Sequence, residues 1–342
     1  MKTASAGAAL ALALAATSAL AQNVKITPLG SHPGELCDRD RATIFEDPTG
    51  VRLLYDVGHT VTGGDDPRLG DIHVVLLSHA HGDHIGDRKL KAPGAGTCAA
   101  AETLPAGSNS MTAEIAAAKN AAIVMTSDMG AFVGARIQRI RGGAPVTPCP
   151  QASGATDVPV ATSCRSNTHL GGAFTARAAG ATQGVEITIV YASHANNVPL
   201  SLLPELHRAH LEPEGMGMVL GPPTGFVVKF TNGLTAYLSG DTGIHTEMKT
   251  VVNEYHRANL AVFNLGLSAG TNDSVAQALN ELVRPASVIL SHPNEAVTES
   301  GKLRPASRAA ALIKQLKGVT PHLAISGRTM EFDGKGKCVA GC

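Results

Sequence analysis

Tryptophan is absent from this 342-residue chain, and aromatic residues make up only 3% of it. A sugar-stacking platform or an aromatic ladder for single-stranded nucleic acid therefore has no material. The core must be built mainly from Ala, Val, Leu and Ile. An excess of one charge is also lacking: 28 basic residues face 28 acidic ones, with no basic run. That balance argues against nucleic acid as a partner and leaves a small-molecule substrate as the expected one. After the N-terminal segment, no apolar run reaches the roughly 18 residues of a membrane-spanning helix. No C-x-x-C pair occurs, so neither a redox dithiol nor a cysteine zinc site is expected.

Residues 1–21 have the makings of a signal peptide. Lys2 gives a short positive start, residues 7–20 form an Ala/Leu run, and Ala19-Leu20-Ala21 is an A-x-A cleavage site. The mature chain, 22–342, is then expected to be exported, periplasmic or secreted, with no stable membrane anchor after cleavage. It reads as one domain of about 320 residues. Six cysteines, an even number, fit an oxidising compartment. The economical pairing joins the local pairs Cys149–Cys164 and Cys338–Cys342 and leaves Cys37 with Cys98.

The densest chemistry is His79-Ala80-His81-Gly82-Asp83-His84, which follows an apolar, strand-like run ending at Leu77. In an extended segment His79 and His81 point to one side, and the turn at Gly82 can aim Asp83 and His84 at a second point nearby. Imidazole and carboxylate suit Zn²⁺, and also Mn²⁺ or Fe²⁺. Further candidates recur just past other apolar runs: Asp56, His194, Asp241 and His292. That placement is what a site at one edge of a sheet sandwich requires. A single histidine after a strand is ordinarily a packed or capping residue, so His194 and His292 gain weight only as members of the set.

The H-x-H-x-D-H signature and the order of these strand-end residues resemble the metallo-β-lactamase superfamily over residues 24–332. The segments Gly240-Asp241-Thr242-Gly243-Ile244-His245 and Asn264-Leu265-Gly266 are similar to the branch of metal-dependent hydrolases that includes ascorbate-phosphate lactonase. The segment 267–272 departs from that branch, so its substrate does not carry over. The resemblance implies an α+β fold, an αββα sandwich of two mixed sheets flanked by helices. It assigns His79, His81 and His194 to one metal, and Asp83, His84 and His292 to a second. Asp241 would bridge the two, while Asp56 orients a ligand histidine. Two divalent ions, chiefly zinc, would lower the pKa of a shared water towards neutrality. Asp83, Asp241 and His245 are the candidate catalytic side chains, with His245 a general acid or a helix-start residue. His59 is equally open.

An acidic bridge resembles the lactonases, thioester hydrolases and phosphodiesterases of the superfamily. The expectation is a binuclear hydrolase whose bridging hydroxide attacks an ester or lactone. The alternatives are phosphodiester or β-lactam cleavage, or a metal-binding protein of this fold without turnover. No basic cluster lies close in sequence to the ligand loops, and Arg88 with Lys89 reads first as a solvated pair, the alternative being a hold on an anionic group.

Strands are expected at 24–28, 42–45, 51–57, 122–125, 185–192 and 260–264. A hairpin at 226–230 and 234–238 turns through Asn232-Gly233. Helices are expected at 112–120, capped by Thr112, and at 128–139, capped by Asp128. Others are expected at 200–211, 246–257, 273–283 and 305–316, the last opened by Pro305. Segments 323–326 and 329–332 read as edge strands. Three insertions stand out: 89–110, an irregular loop near the metal mouth; 142–172, stapled; and 195–223, carrying His207 and His210 on a helix and offering Met216 and Met218 to the pocket wall.

Overall fold

The computed structural model describes residues 23–150, 156–158 and 164–342. The expected signal segment 1–21 lies outside them. Sheet-forming residues come in short apolar runs that alternate between two cores. The first sheet begins with β1 (Val24–Pro28), β2 (Thr43–Glu46), β3 (Arg52–Tyr55), β4 (Val74–Leu76) and β5 (Ala122–Val124). Strands β1 to β3 form an antiparallel meander, and β3, β4 and β5 then run parallel. The second sheet contains β6 (Thr156–Val158), β7 (Ala173–Ala178), β8 (Val185–Tyr191), β9 (Thr224–Lys229), β10 (Thr235–Leu238), β11 (Leu260–Asn264), β12 (Ser287–Ser291) and β13 (Thr320–Leu323), adjacent in that order. The chain returns to the first sheet as β14 (Met330–Phe332) and β15 (Cys338–Ala340), which flank β1 on its free side.

Side-chain alternation divides the interior. Phe45, Leu53, Val74 and Leu76 face the second sheet, whereas Ile44, Leu54, Val75 and Leu77 face the helices α2 (Met111–Lys119) and α3 (Ser127–Arg141). On the far side of the second sheet, Met248, Val252, Val275, Leu279 and Leu312 join the core from helical segments. The result is the expected αββα sandwich. The few aromatics are concentrated at its centre: Tyr237, Phe45, Phe226, Phe263 and Phe332 are the five largest fully buried side chains. The aliphatic core expected from composition is therefore seeded by rings.

Strand direction decides where function can sit. β8 and β10 are each antiparallel to β9, so they run the same way, and β11 and β12 follow β10 in parallel. The C-terminal ends of β8, β10, β11 and β12 thus share one edge of the sheet.

Several element ends differ from the sequence expectation. Ser110, not Thr112, caps α2 through a bond from Ala113 N, while the Thr112 hydroxyl donates to Ile85 O. Thr126 precedes α3, and Asp128 lies inside its first turn. Pro305 stands outside its helix, which spans Arg308–Ile313 under a Ser307 cap. Segments Met248–Tyr255 and Ala278–Val283 are wound as π-helix. β14 is interior rather than an edge, because β15 adds outside it.

Each insertion has regular parts. In 89–110, Arg88–Leu90 pairs with Thr103–Pro105 and Gly96–Thr97 pairs with Ala100–Ala101, a nested hairpin rather than an irregular loop. In 142–172, Arg165 bridges Ile123 of β5, and Thr156–Val158 extends the second sheet. The insertion thereby covers an edge of each sheet. In 195–223, Val198, Leu202 and Leu203 are buried against the first sheet's outer core.

All three disulfides have the economical pairing: Cys37–Cys98, Cys149–Cys164 and Cys338–Cys342. Cys37–Cys98 closes the longest loop, a separation of 61 residues. By the chain-entropy relation its loss should cost up to about 4 kcal/mol. Cys98→Ser should lower the denaturant midpoint accordingly, and unreduced, denatured wild type should show no titratable thiol; six reactive thiols would contradict the pairing.

Candidate metal centre

Backbone leaving the strand ends delivers seven side chains to one place. His79 and His81 follow β4, and the one-turn helix α1 (Gly82–Ile85) carries Asp83 and His84. His194 follows β8, Asp241 follows β10 and His292 follows β12. Two site residues adopt the left-handed region that L-residues avoid, Asp56 at φ 41° and His292 at φ 52°. Such conformations cost on the order of 1–3 kcal/mol and persist where surrounding contacts enforce them. Gly266 leaves room for the His292 ring: a Cβ there would lie 2.7 Å from His292 Nδ1.

Two ligand clusters result. His79, His81 and His194 bring ligand atoms within 4.8 Å of one another, as do Asp83, His84 and His292. His81 Nδ1 lies 3.2 Å from His194 Nε2, and His84 Nε2 lies 3.0 Å from His292 Nε2. Asp241 stands between the clusters. Its Oδ1 is 2.9 Å from His292 Nε2 and 3.4 Å from His84 Nε2, while Oδ2 faces His194 Nε2 at 3.9 Å.

These spacings fit metal ions. Tetrahedral ligands at zinc–nitrogen distances stand roughly 3.4 Å apart, close to the observed nitrogen pairs. His79 Nε2 is buried without a hydrogen-bond partner. The opposite ring nitrogens are held from behind. His79 Nδ1 is 2.9 Å from Ser78 Oγ, and His84 Nδ1 is 2.8 Å from Asp56 Oδ2. Asp56 also accepts from Ser78 N and Ser78 Oγ. An Asp56-facing proton on His84 Nδ1 leaves the Nε2 lone pair turned inward.

Charge is concentrated here. Burial pushes the His79, His81 and His194 imidazoles below the ordinary range, which favours the neutral, ligating form. For His84, burial opposes protonation, but the Asp241, Asp56 and Asp83 carboxylates hold its pKa up at about 10. Against the opposing effect of burial, His292 and His84 hold the Asp241 carboxyl well below the usual range. Asp83 is lowered too: burial opposes, while His84, His292 and Arg41 favour the carboxylate.

Several partners came from parts of the chain that carry no local motif. Arg41 is buried and donates from Nη2 to Asp83 Oδ2 at 3.0 Å and to Asn294 Oδ1 at 3.1 Å. Asn196 accepts from Ala80 N at 2.7 Å and donates to Leu220 O, so the root of the 195–223 insertion is tied to the ligand loop. Tyr55 Oη accepts from Gly240 N, and Asn264 donates to Gly240 O. Asn264 belongs to the Asn264-Leu265-Gly266 segment of the family resemblance, and its bond to Gly240 places it behind Asp241.

A cleft of about 550 Å³ opens beside Asp83, lined by Arg39, Arg41, His59, Asp87, Arg88 and Asn294 among others. Arg39 and Arg41 lie some forty residues before the signature, yet the fold joins them to Arg88; Asp38, Asp83 and Asp87 line the same cleft, with Asp38 3.7 Å from Arg39 and Asp83 3.0 Å from Arg41. Arg88 donates to Thr103 Oγ1 and Thr103 O, with no acidic partner among the described residues. His59 bonds to Asp87 at 2.7 Å.

Other candidates stand apart. His245 packs its half-buried ring edge-on to Tyr191, with centroids 5.1 Å apart, and joins none of the ligand clusters. His207 and His210 are exposed on Glu205–Leu211. Met216 is 53% exposed, and Met218 packs against the outer core of the first sheet.

Asp56→Asn can retain the left-handed backbone but loses the charge behind His84, and should weaken metal binding by about 10–100-fold; Gly266→Ala should selectively weaken the His292 cluster. Equilibrium dialysis against a chelator series measures both. In chelator-stripped protein the linkage has two signs. Stabilisation from His84 is complete below its ordinary 6.5 and fades towards about pH 10. That from Asp83 and Asp241 is present above 3.8 and is lost as pH falls. Melting temperature should therefore peak between these limits; a steady rise from pH 7 to 10 would contradict the assignment.

No family model matches the chain. A UPF0173 metal-dependent hydrolase of Polynucleobacter asymbioticus is 25% identical over 273 residues, covering 75% of this chain and 72% of its own length. A counterpart from Brucella abortus is 25% identical over 244 residues, covering 71% and 72%. Among solved structures, a metallo hydrolase from the archaeon Ignicoccus hospitalis superposes with a TM-score of 0.54 at 18% identity, covering 91% of this chain and 99% of that one. Strand order and relatives agree: the chain has the metallo-β-lactamase fold and is similar to metal-dependent hydrolases.

Proposed function

We propose that this protein is an exported hydrolase using two divalent metal ions, zinc foremost, to cleave an ester or lactone in a small substrate. The observation that carries this reading is the pair of imidazole clusters with the two oxygens of Asp241 turned one to each. His79, His81 and His194 would hold one ion, and Asp83, His84 and His292 the other. When bound, such ions supply Lewis acidity and a water acidified towards neutral pH.

The chain's own groups prepare that chemistry. Asp56 and Ser78 fix the rings of His84 and His79, so the ligands need not reorganise. The buried Arg41 guanidinium holds Asp83 in place and balances its charge. The cleft beside Asp83 has the volume for a small molecule. The acidic bridge and the resemblance to the lactonase branch favour acyl cleavage. Export is supported by the signal-like residues 1–21 and by three disulfides. No helix among the described residues is long and apolar enough to cross a membrane.

A second reading, an anionic phosphodiester substrate, is favoured by one observation: Arg88, which has no acidic partner among the described residues, lines the cleft beside Asp83.

A hydrolysis panel of lactones, esters, phosphodiesters and β-lactams with Zn²⁺- and Mn²⁺-loaded protein separates these readings. Acyl substrates should turn over; activity confined to phosphodiesters would establish the second reading, and none on any class would leave a metal-binding protein without turnover. His81→Ala should abolish turnover. Asp241→Ala should lower metal content and rate together, and unchanged values would refute the shared carboxylate. His245→Gln should retain both metals and alter the pH profile of turnover if His245 donates a proton.

A further inference from the structure

Beside β12, the strand that leads into His292, the outermost strand of the second sheet meets the outermost strand of the first. β13 is the outermost strand of the second sheet and carries His322; β15 is the outermost strand of the first and carries Cys338. Cys342 lies four residues further on, beyond Gly341, whose φ of +73° folds the chain back. The ligand atoms of His322, Cys338 and Cys342 all lie within 4.8 Å of one another. His322 Nε2 is buried without a hydrogen-bond partner, and the ring is braced edge-on by Phe332, with centroids 5.5 Å apart. Burial also pushes the imidazole below its ordinary pKa, towards the ligating form.

We propose that these three side chains form a redox-gated site for a thiophilic divalent ion such as Zn²⁺ or Cd²⁺, open only when the Cys338–Cys342 disulfide is reduced. Two cysteines with three residues between them match the spacing of thiolate zinc ligands, and two sulfurs with one imidazole form a soft donor set. The disulfide and the metal exclude each other by geometry. Sulfurs bonded to one another stand about 2 Å apart, whereas two thiolates on a tetrahedral zinc stand roughly 3.8 Å apart. A dithiol reductant passes two electrons and two protons to the bridge. Its own thiols become a disulfide, and Cys338 and Cys342 become thiols. Each then loses a proton to solvent as the ion binds. The bound ion would clamp β13 to β15, joining the two sheets at their edges. Sequence reading passed over this site because His322 is distant and the pair is C-x-x-x-C.

Accessibility favours this disulfide for reduction. Cys342 is exposed and Cys338 half-buried, whereas Cys37, Cys149 and Cys164 are at most 5% exposed. The test uses native full-length protein, treated with a phosphine, desalted without oxygen and titrated with Cd²⁺. Phosphine and water convert the disulfide to two thiols, and the phosphine becomes its oxide. Reduced wild type should bind one Cd²⁺ more per chain than oxidised protein, with an ultraviolet thiolate-to-cadmium band. Cys342→Ser should lose both the extra ion and the band. His322→Gln, which leaves the disulfide intact, should weaken the extra ion at least tenfold. Equal uptake before and after reduction, or an extra ion undiminished in either variant, would overturn the proposal.

Discussion

Five imidazoles and two carboxylates crowd one sheet edge, with ring nitrogens facing one another at 3.0 and 3.2 Å. At these distances either one ring donates an N–H to the other or a cation lies between the two lone pairs. This constraint explains much of the surrounding structure. Asp56 stands behind His84 and supports Ser78, which stands behind His79. Arg41 balances Asp83 from the buried side. The left-handed backbone at Asp56 and His292, and the absence of a side chain at Gly266, are accommodations to the same crowding. Against burial, the Asp241, Asp56 and Asp83 carboxylates hold the His84 pKa up at about 10.

The candidate ligand set is legible because its spacing is local or recurrent. His79, His81, Asp83 and His84 occupy six consecutive positions, and the other members each follow an apolar run. Parallel strands turn that repetition into convergence, since every C-terminal end meets the same edge. What supports the ligands was mostly illegible. Arg41 reaches Asp83 across 42 positions, and Asn196 reaches Ala80 across 116. Neither carries a motif, because a buried polar contact is specified by the packed fold rather than by its neighbours in sequence. Asp56 was readable as an orienting residue only because a strand end already placed it near the signature.

Misread element ends have a common cause. Thr112 and Asp128 are good capping residues, but each lies one turn position inside its helix, where its side chain has other work or faces outward. Local propensity selected the right helix and the wrong first residue. The insertion 89–110 was misread as irregular because its strands are too short for periodicity to register. Its fold is instead secured at the tip, where Cys98 joins Cys37. That bond also fixes one wall of the cavity beside Arg39 and His59, lined by Ala99, Ala100, Ala101 and Thr103. The 89–110 insertion thus lines a cavity that shares Arg39 and His59 with the cleft beside Asp83, whereas 195–223 meets the 79–84 loop through Asn196 at its root.

The central claim is that the seven side chains hold two ions that share Asp241. X-ray absorption on oxidised, metal-saturated wild type, with the metal-to-chain ratio determined on the same sample, tests it most directly. The account predicts two ions per chain, nitrogen and oxygen ligands only, and a metal–metal vector of roughly 3.5–4 Å. A single ion, a sulfur ligand in the oxidised protein, or no bound metal would contradict it.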